Sequence, residues 1–278
     1  MTALSPTAVA RLSDLARGKA VLALTGAGLS TESGIPDYRG PEALARPPRR
    51  PIQGPDFVRS AAVRRRYWAR SLLGWERMRL AEPNVGHRAL AALERQGAVT
   101  QVVTQNVDRL HHKAGSRRVT ELHGALADVA CLACGTLENR DALQRRLLAL
   151  NPGWTSLDVP TAPDGDAELP PERVEELVLA ACATCGGVLK PRVVFFGDHV
   201  PRSIVDEAFA ALDAADLLLV VGSSLAVFSG YRFLRRAVER RIPVAIVNCG
   251  PVRGEEHAAL KVEASTGATL DALVTALG

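Results

Sequence analysis

The chain has 278 residues, 47% of them hydrophobic and 23% charged, with a formal net charge of +4. This composition excludes a mostly disordered protein, and no apolar run approaches the ~18–20 residues of a helical membrane span. Arginines supply nearly all of the positive charge, a usage bias and not the footprint of a nucleic-acid binder, so neither a specific nucleic acid nor a membrane is expected as partner.

Residues 1–20 mix Asp14 with Arg11, Arg17 and Lys19 and lack both an apolar core and a cleavage site. They read as a short amphipathic helix and not as a secretion signal. With that reading, the five cysteines imply a reducing, cytoplasmic compartment. Residues 21–24 form the first apolar run and pass into Thr25-Gly26-Ala27-Gly28-Leu29-Ser30-Thr31. Glycines directly after a strand let the backbone approach a pyrophosphate, whose charge a following helix N-terminus favours. A tight strand-to-helix turn uses the same residues.

Residues 40–83 open with a Pro/Arg-rich loop and continue as a helical insertion. A helix is expected at 86–95, then a strand at 100–103 that runs into Thr104-Gln105-Asn106-Val107-Asp108. His87, His111 and His112 carry no motif; the last two read as surface residues. Residues 126–190 hold Cys131-x-x-Cys134 and Cys182-x-x-Cys185, each pair followed by glycine. Two such pairs present four thiolates tetrahedrally to one structural Zn²⁺, with two free dithiols as the alternative. The ion is expected to supply folding energy to a module otherwise poor in core. A fifth strand is expected at 193–196, ending at Gly197. Helix 203–214, strand 217–221 into Gly222-Ser223-Ser224, helix 230–240 and strand 244–247 into Asn248-Cys249-Gly250 complete the pattern.

Unbroken apolar runs suit parallel strands covered on both faces, and their alternation with helices implies a doubly wound, Rossmann-like α/β domain. Its ligand belongs at the carboxyl ends of the strands. The expected domain comprises residues 1–39, 84–125 and 191–278, with the helical insertion at 40–83 and the zinc-binding module at 126–190.

Gly26-Ala27-Gly28-Leu29-Ser30 with Ser33-Gly34-Ile35-Pro36-Asp37-Tyr38-Arg39 resembles the cofactor signature of the sirtuin family. Thr104 to Asp108, Glu121-Leu122-His123-Gly124, the cysteine pairs, Lys190-Pro191 with Val193-Val194-Phe195-Phe196-Gly197, Gly222-Ser223-Ser224 and Asn248-x-Gly250 follow in that family's order. Tyr67-Trp68-Ala69-Arg70 and Tyr231-Arg232-Phe233 look closest to class II sirtuins. The resemblance implies an NAD-dependent protein-lysine deacylase releasing nicotinamide and O-acyl-ADP-ribose. It implies His123 as general base, with Asn106 and Asp108 at the nicotinamide end. Gly26, Ala27, Gly28, Ser30, Thr31, Asp37, Tyr38, Arg39, Gln105 and Val107 would border NAD, and Gly222, Ser223, Ser224, Asn248, Cys249, Gly250 and Thr266 its phosphate and adenosine side. Val194, Phe195, Phe196 and Gly197 would meet an acylated-lysine protein substrate. Tyr67 and Arg70, three apart on one helical face, would favour acidic or longer acyl groups. Arg109 stands where many sirtuins have glycine. Mono-ADP-ribosyl transfer and a non-catalytic NAD sensor use the same residues and stay open as alternatives.

Overall fold

The computed structural model describes residues 4–38, 51–154, 169 and 171–278. Arg39 and most of the Pro/Arg-rich loop lie outside the described residues. The chain divides into two compact units, one drawn from Met1–Arg46, Glu82–Leu122 and Val200–Gly278, the other from Pro47–Ala81 and His123–His199. Nine strands are described: β1 (Val21–Thr25), β2 (Val99–Thr104), β3 (Val119–Glu121), β4 (Gly124–Cys131), β5 (Leu137–Asn139), β6 (Leu189–Val193), β7 (Leu217–Val221), β8 (Val244–Val247) and β9 (Leu260–Val262).

The larger unit is a doubly wound sheet in the order β3-β2-β1-β7-β8-β9, every neighbouring pair parallel. Both faces are covered, because successive strand residues enter opposite cores. Val21, Ala23, Leu217, Leu219 and Val221 pack with Leu90, Leu93, Leu270 and Leu273, whereas Leu22, Leu24, Leu218 and Val220 pack with Leu212, Phe233 and Leu234. Helices Pro6–Ala16, Val85–Arg95 and Thr266–Leu277 supply the first face; Arg202–Asp213 and Phe228–Glu239 supply the second. Each fully buried Leu or Val contributes about 1.5–3 kcal/mol relative to exposure. Strand order reverses at β1, with β2 to one side and β7 to the other, which opens the crevice that such sheets use for ligands.

The smaller unit contains a three-stranded antiparallel sheet, β5-β4-β6. The expected fifth parallel strand at 193–196 is therefore corrected. Its first residue ends β6, where Val193 pairs with Gly124, and Phe196 is 45% exposed, as no buried strand of a covered sheet would leave it. This pairing also brings residues 123–125 and 191–199 into the smaller unit.

The zinc module, expected to be poor in core, shares one with the helical insertion. Phe57, Tyr67, Trp68, Leu72, Leu143, Leu147 and Trp154 pack against Val129 and Leu189. Arg140, 1% exposed, sits 5.4 Å from the Trp68 ring centroid and 5.2 Å from that of Trp75, and donates to the Ser71 carbonyl. Burial pulls its pKa down to about 10. Among the described residues no helix is long and apolar enough to cross a membrane.

Candidate nucleotide site and metal centre

Two glycine turns meet at the tips of β1 and β7. Gly26 N–H donates to the Val221 carbonyl at 3.0 Å and Gly28 N–H to the Gly222 carbonyl at 2.8 Å. A Cβ at Gly26 would lie 2.7 Å from Ser223 Cβ, and one at Gly28 would lie 2.9 Å from Gly222 O. Gly222 itself adopts φ 59°. Only glycine fits where two turns are pressed together this closely. Among the described residues no α-helix starts directly after the first turn. Ala27–Leu29 and Thr31–Ser33 are single 3₁₀ turns, closed by Gly34 in the left-handed region.

The polar side chains gather around Ser30. Its hydroxyl donates to Asp108 Oδ2 at 2.7 Å and accepts from Asn106 Nδ2 at 3.0 Å. Asn106 Nδ2 also reaches the Gly26 carbonyl at 3.1 Å, and Gln105 Nε2 donates to Ser223 Oγ at 2.9 Å. Asp108 accepts from Leu110 N–H as well, yet burial holds its carboxyl above the ordinary range, and nearby Glu121 adds to the rise. A carboxyl held out of water beside the buried amide of Asn106 and the half-buried amide of Gln105 is a donor–acceptor set for a neutral polar group that both gives and takes hydrogen bonds, such as a carboxamide.

At the far side, Asn248 Nδ2 donates to the carbonyls of Cys249 and Gly250, whose own N–H donates to Glu263. The Ser224 carbonyl accepts from Arg253 N–H, and Thr266 is buried at the start of the last helix. Thr31 Oγ1 is bound to the Gly28 carbonyl, Val107 is half-buried, and Tyr38, just beyond the half-buried Asp37, is 49% exposed.

Two histidines without a sequence motif lie under this cluster. His111, expected at the surface, is 2% exposed and meets Thr25 Oγ1 at 2.9 Å, while His112 stays exposed. Leu110–Lys113 is a single helical turn, which carries His111 inward as it carries His112 out. His87 closes a capping box with Asn84 and lies 3.4 Å from Ser30 Oγ. Burial, with Arg88 nearby, lowers its pKa to about 4. The signal that could have found it is the Asn-x-x-His spacing at a helix start. Arg109 adopts φ 65°, the left-handed conformation that accounts for glycine at this place elsewhere, and pairs with Glu121 at 3.0 Å.

In the smaller unit, His123 is half-buried just before β4, its carbonyl accepting from Val194 N–H at 2.9 Å. Tyr67 is 4% exposed, its ring 5.3 Å from Phe195 and 5.5 Å from Phe57, and Arg70 is half-buried on the same helix. Gly197 turns at φ 80° against Gln53 and Pro55.

The sulfurs of Cys131, Cys134, Cys182 and Cys185 all lie within 4.8 Å of one another. Cys131 and Cys185 are 3.5 Å apart and Cys134 and Cys182 3.8 Å, far beyond a disulfide bond. Four thiolates tetrahedral about zinc at ~2.3 Å sit ~3.8 Å apart, so the set fits that ion. The thiols also titrate apart. Thr136 pulls Cys134 down to about 6, whereas Cys134 pushes Cys185 up to about 12, a charge conflict that a bound dication resolves.

Comparison with known proteins agrees with this geometry. The model of the Sir2 family matches residues 26–229. The chain is 51% identical to the NAD-dependent protein lipoamidase sirtuin-4, mitochondrial, of Bos taurus, over 91% of this chain and 81% of that protein. It is 50% identical to NAD-dependent protein deacetylase 1 of Mycobacterium avium (strain 104), over 93% of this chain and 90% of the relative. Among solved structures, one described as the structural basis for the mechanism and regulation of Sir2 enzymes matches with TM-score 0.75 at 28% identity, covering 98% of each chain. A Sir2–p53 peptide–NAD+ complex matches with TM-score 0.72 at 30% identity, covering 94% of each.

Proposed function

We propose, from the premise that the chain belongs to the Sir2 family and is an NAD-dependent protein deacylase, that it removes acyl groups from lysine side chains of proteins with His123 as the general base. The observation that carries the assignment of roles is the buried Ser30–Asn106–Asp108 cluster at the strand tips. NAD supplies a glycosidic bond whose cleavage releases nicotinamide and leaves ADP-ribose to receive the acyl group.

The chain's own residues do the rest. Asn106 and Asp108 hold the carboxamide end in a pocket with little water, and Gly26, Gly28, Gly222 and Ser223 let the backbone come close to the phosphates. Ser224, Asn248, Cys249, Gly250 and Thr266 border the adenosine side, and Ala27, Thr31, Asp37 and Tyr38 the opposite rim. His123 takes the proton from the ribose hydroxyl that attacks the acyl carbon, a step for which a base poised near neutrality contributes ~10²–10⁴-fold. The zinc at Cys131, Cys134, Cys182 and Cys185 is structural, since four thiolates leave it no open position.

Val194, Phe195, Phe196 and Gly197 receive the acyl-lysine, with Tyr67 and Arg70 at the acyl end. The packing of Tyr67 on Phe195 supports an apolar wall suited to longer acyl chains. So does the description of the Bos taurus relative as a lipoamidase. A guanidinium at Arg70 suits a terminal carboxylate. Four cysteines placed to ligate zinc suit a reducing compartment such as the cytoplasm.

The test is incubation with NAD and acetyl-, lipoyl-, succinyl- and glutaryl-lysine peptides, with mass readout of peptide and nucleotide. O-acyl-ADP-ribose is the expected product, and Arg70→Met should slow only the acidic substrates. Addition of ADP-ribose mass to the peptide, with the acyl group retained, would establish transfer in place of deacylation.

A further inference from the structure

The buried side chains beneath the site include one histidine that takes no part in deacylation as proposed. His111 is 2% exposed and packs edge-on against His87 with ring centroids 5.0 Å apart. Its Nε2 is 2.9 Å from Thr25 Oγ1, and its Nδ1 meets no hydrogen-bond partner among the described residues. A buried N–H without an acceptor is rarer and costlier than an unfilled lone pair, so the single proton of the neutral ring belongs on Nε2. Burial, helped by His87 and His112, holds the ring neutral, its pKa well below the usual value.

That tautomer sets the direction of a chain of hydrogen bonds. His111 donates to Thr25 Oγ1, and the Thr25 hydroxyl then donates to Thr104 Oγ1 at 2.9 Å. Thr104 Oγ1 also accepts the backbone N–H of Asn106 at 3.1 Å. Thr25 and Thr104 are register partners at the ends of β1 and β2 and are 0% and 3% exposed, so water does not compete for either hydroxyl. Both acceptor sites of the Thr104 hydroxyl are thus filled, and the turn that aims Asn106 Nδ2 at Gly26 O and Ser30 Oγ is held from below.

We propose that His111 is a positioning residue for Asn106, acting through the Thr25–Thr104 hydroxyl pair to fix the amide that meets nicotinamide. The inference rests on the assignment of Asn106 to the nicotinamide end.

The experiment compares nicotinamide with ADP-ribose, which shares the rest of the cofactor but lacks the carboxamide. In His111→Leu, the nicotinamide inhibition constant should rise about tenfold, the worth of one buried hydrogen bond, while ADP-ribose affinity stays within about twofold. His111→Gln, whose Nε2 reproduces the donor, should restore most of the loss. Thr104→Val should show the same selective loss, and combining it with His111→Leu should add little, because both remove one chain of bonds.

Unchanged nicotinamide inhibition in His111→Leu overturns the proposal, and so does an equal loss of both ligands or full additivity with Thr104→Val. Should His111→Leu fail to fold, unchanged nicotinamide inhibition in Thr104→Val overturns it alone. Failure of the functional reading itself is seen earlier and separately, as a wild-type chain that neither cleaves NAD nor responds to nicotinamide.

Discussion

Removing the metal should unfold one unit and spare the other. Two of the four sulfurs, those of Cys131 and Cys182, belong to residues of the smaller unit's own core, at 3% and 6% exposure. Structural zinc in small modules contributes roughly 10–16 kcal/mol of apparent binding free energy, against about 5–15 kcal/mol for the whole stability of a typical domain. The loss is therefore as large as any stability margin, and Cys131→Ser should abolish the unit's fold instead of lowering its melting point by a few degrees.

The three tryptophans make the assay selective, because Trp68, Trp75 and Trp154 all lie in the smaller unit. Stripping zinc with a chelator, or introducing Cys131→Ser, should red-shift the tryptophan emission and remove its cooperative transition. Far-UV helicity from the larger unit should persist, since both cores flanking its sheet are complete without the metal. Native emission and an unchanged cooperative melt in verified metal-free protein would refute the reasoning.

Further outcomes concern the larger unit and the base. His123→Ala should lower deacylation by ~10²–10⁴-fold with ADP-ribose binding retained, as followed by calorimetry; near-normal turnover would remove His123 from the mechanism. Because burial raises the Asp108 pKa, the folded chain holds that proton more tightly than the unfolded chain, and the charged form costs stability above the folded value. Asp108→Asn should therefore melt higher than wild type at neutral pH while losing activity, the gap closing as pH falls toward about 4. A constant gap across that range would show that burial of the charge is not its source. Arg109→Gly relieves the left-handed strain, worth about 1–2 kcal/mol, and forfeits a part-exposed pair with Glu121, worth about 0–1 kcal/mol. Urea unfolding should show a net gain, and a loss above about 1 kcal/mol would mean that the ion pair dominates.

The strands that bear the site were legible because they are unbroken apolar runs ending in glycine or amide residues, as at 21–28 and 217–223. The cysteine pairs were legible because short spacing leaves few geometries. β9 and the last helix escaped notice: the strand has three residues, and the helix buries Thr266, Gly267 and Thr269 alongside Leu270 and Leu273, which blurs its apolar face. The run at 193–196 misled because β-branched and aromatic residues look alike in a covered parallel strand and at the end of an antiparallel edge. His111 was illegible because its burial depends on β1, which lies far from it in sequence. Local pattern cannot reveal which face of a one-turn helix a distant strand will cover.

The position of β1 has a consequence for how the protein is made. Its partner on one side, β2, emerges from the ribosome soon after it, but its partner on the other side, β7, begins only at Leu217. The amides of Gly26 and Gly28 find their acceptors at Val221 and Gly222, so the glycine turn after β1 is completed only once β7 has been made. A nascent chain short of that point carries an apolar strand with one open edge, the kind of intermediate that chaperones cover. Catalytic competence is thus withheld until most of the polypeptide has been translated, and a premature stop before β7 should yield an aggregating fragment, not a weakly active enzyme.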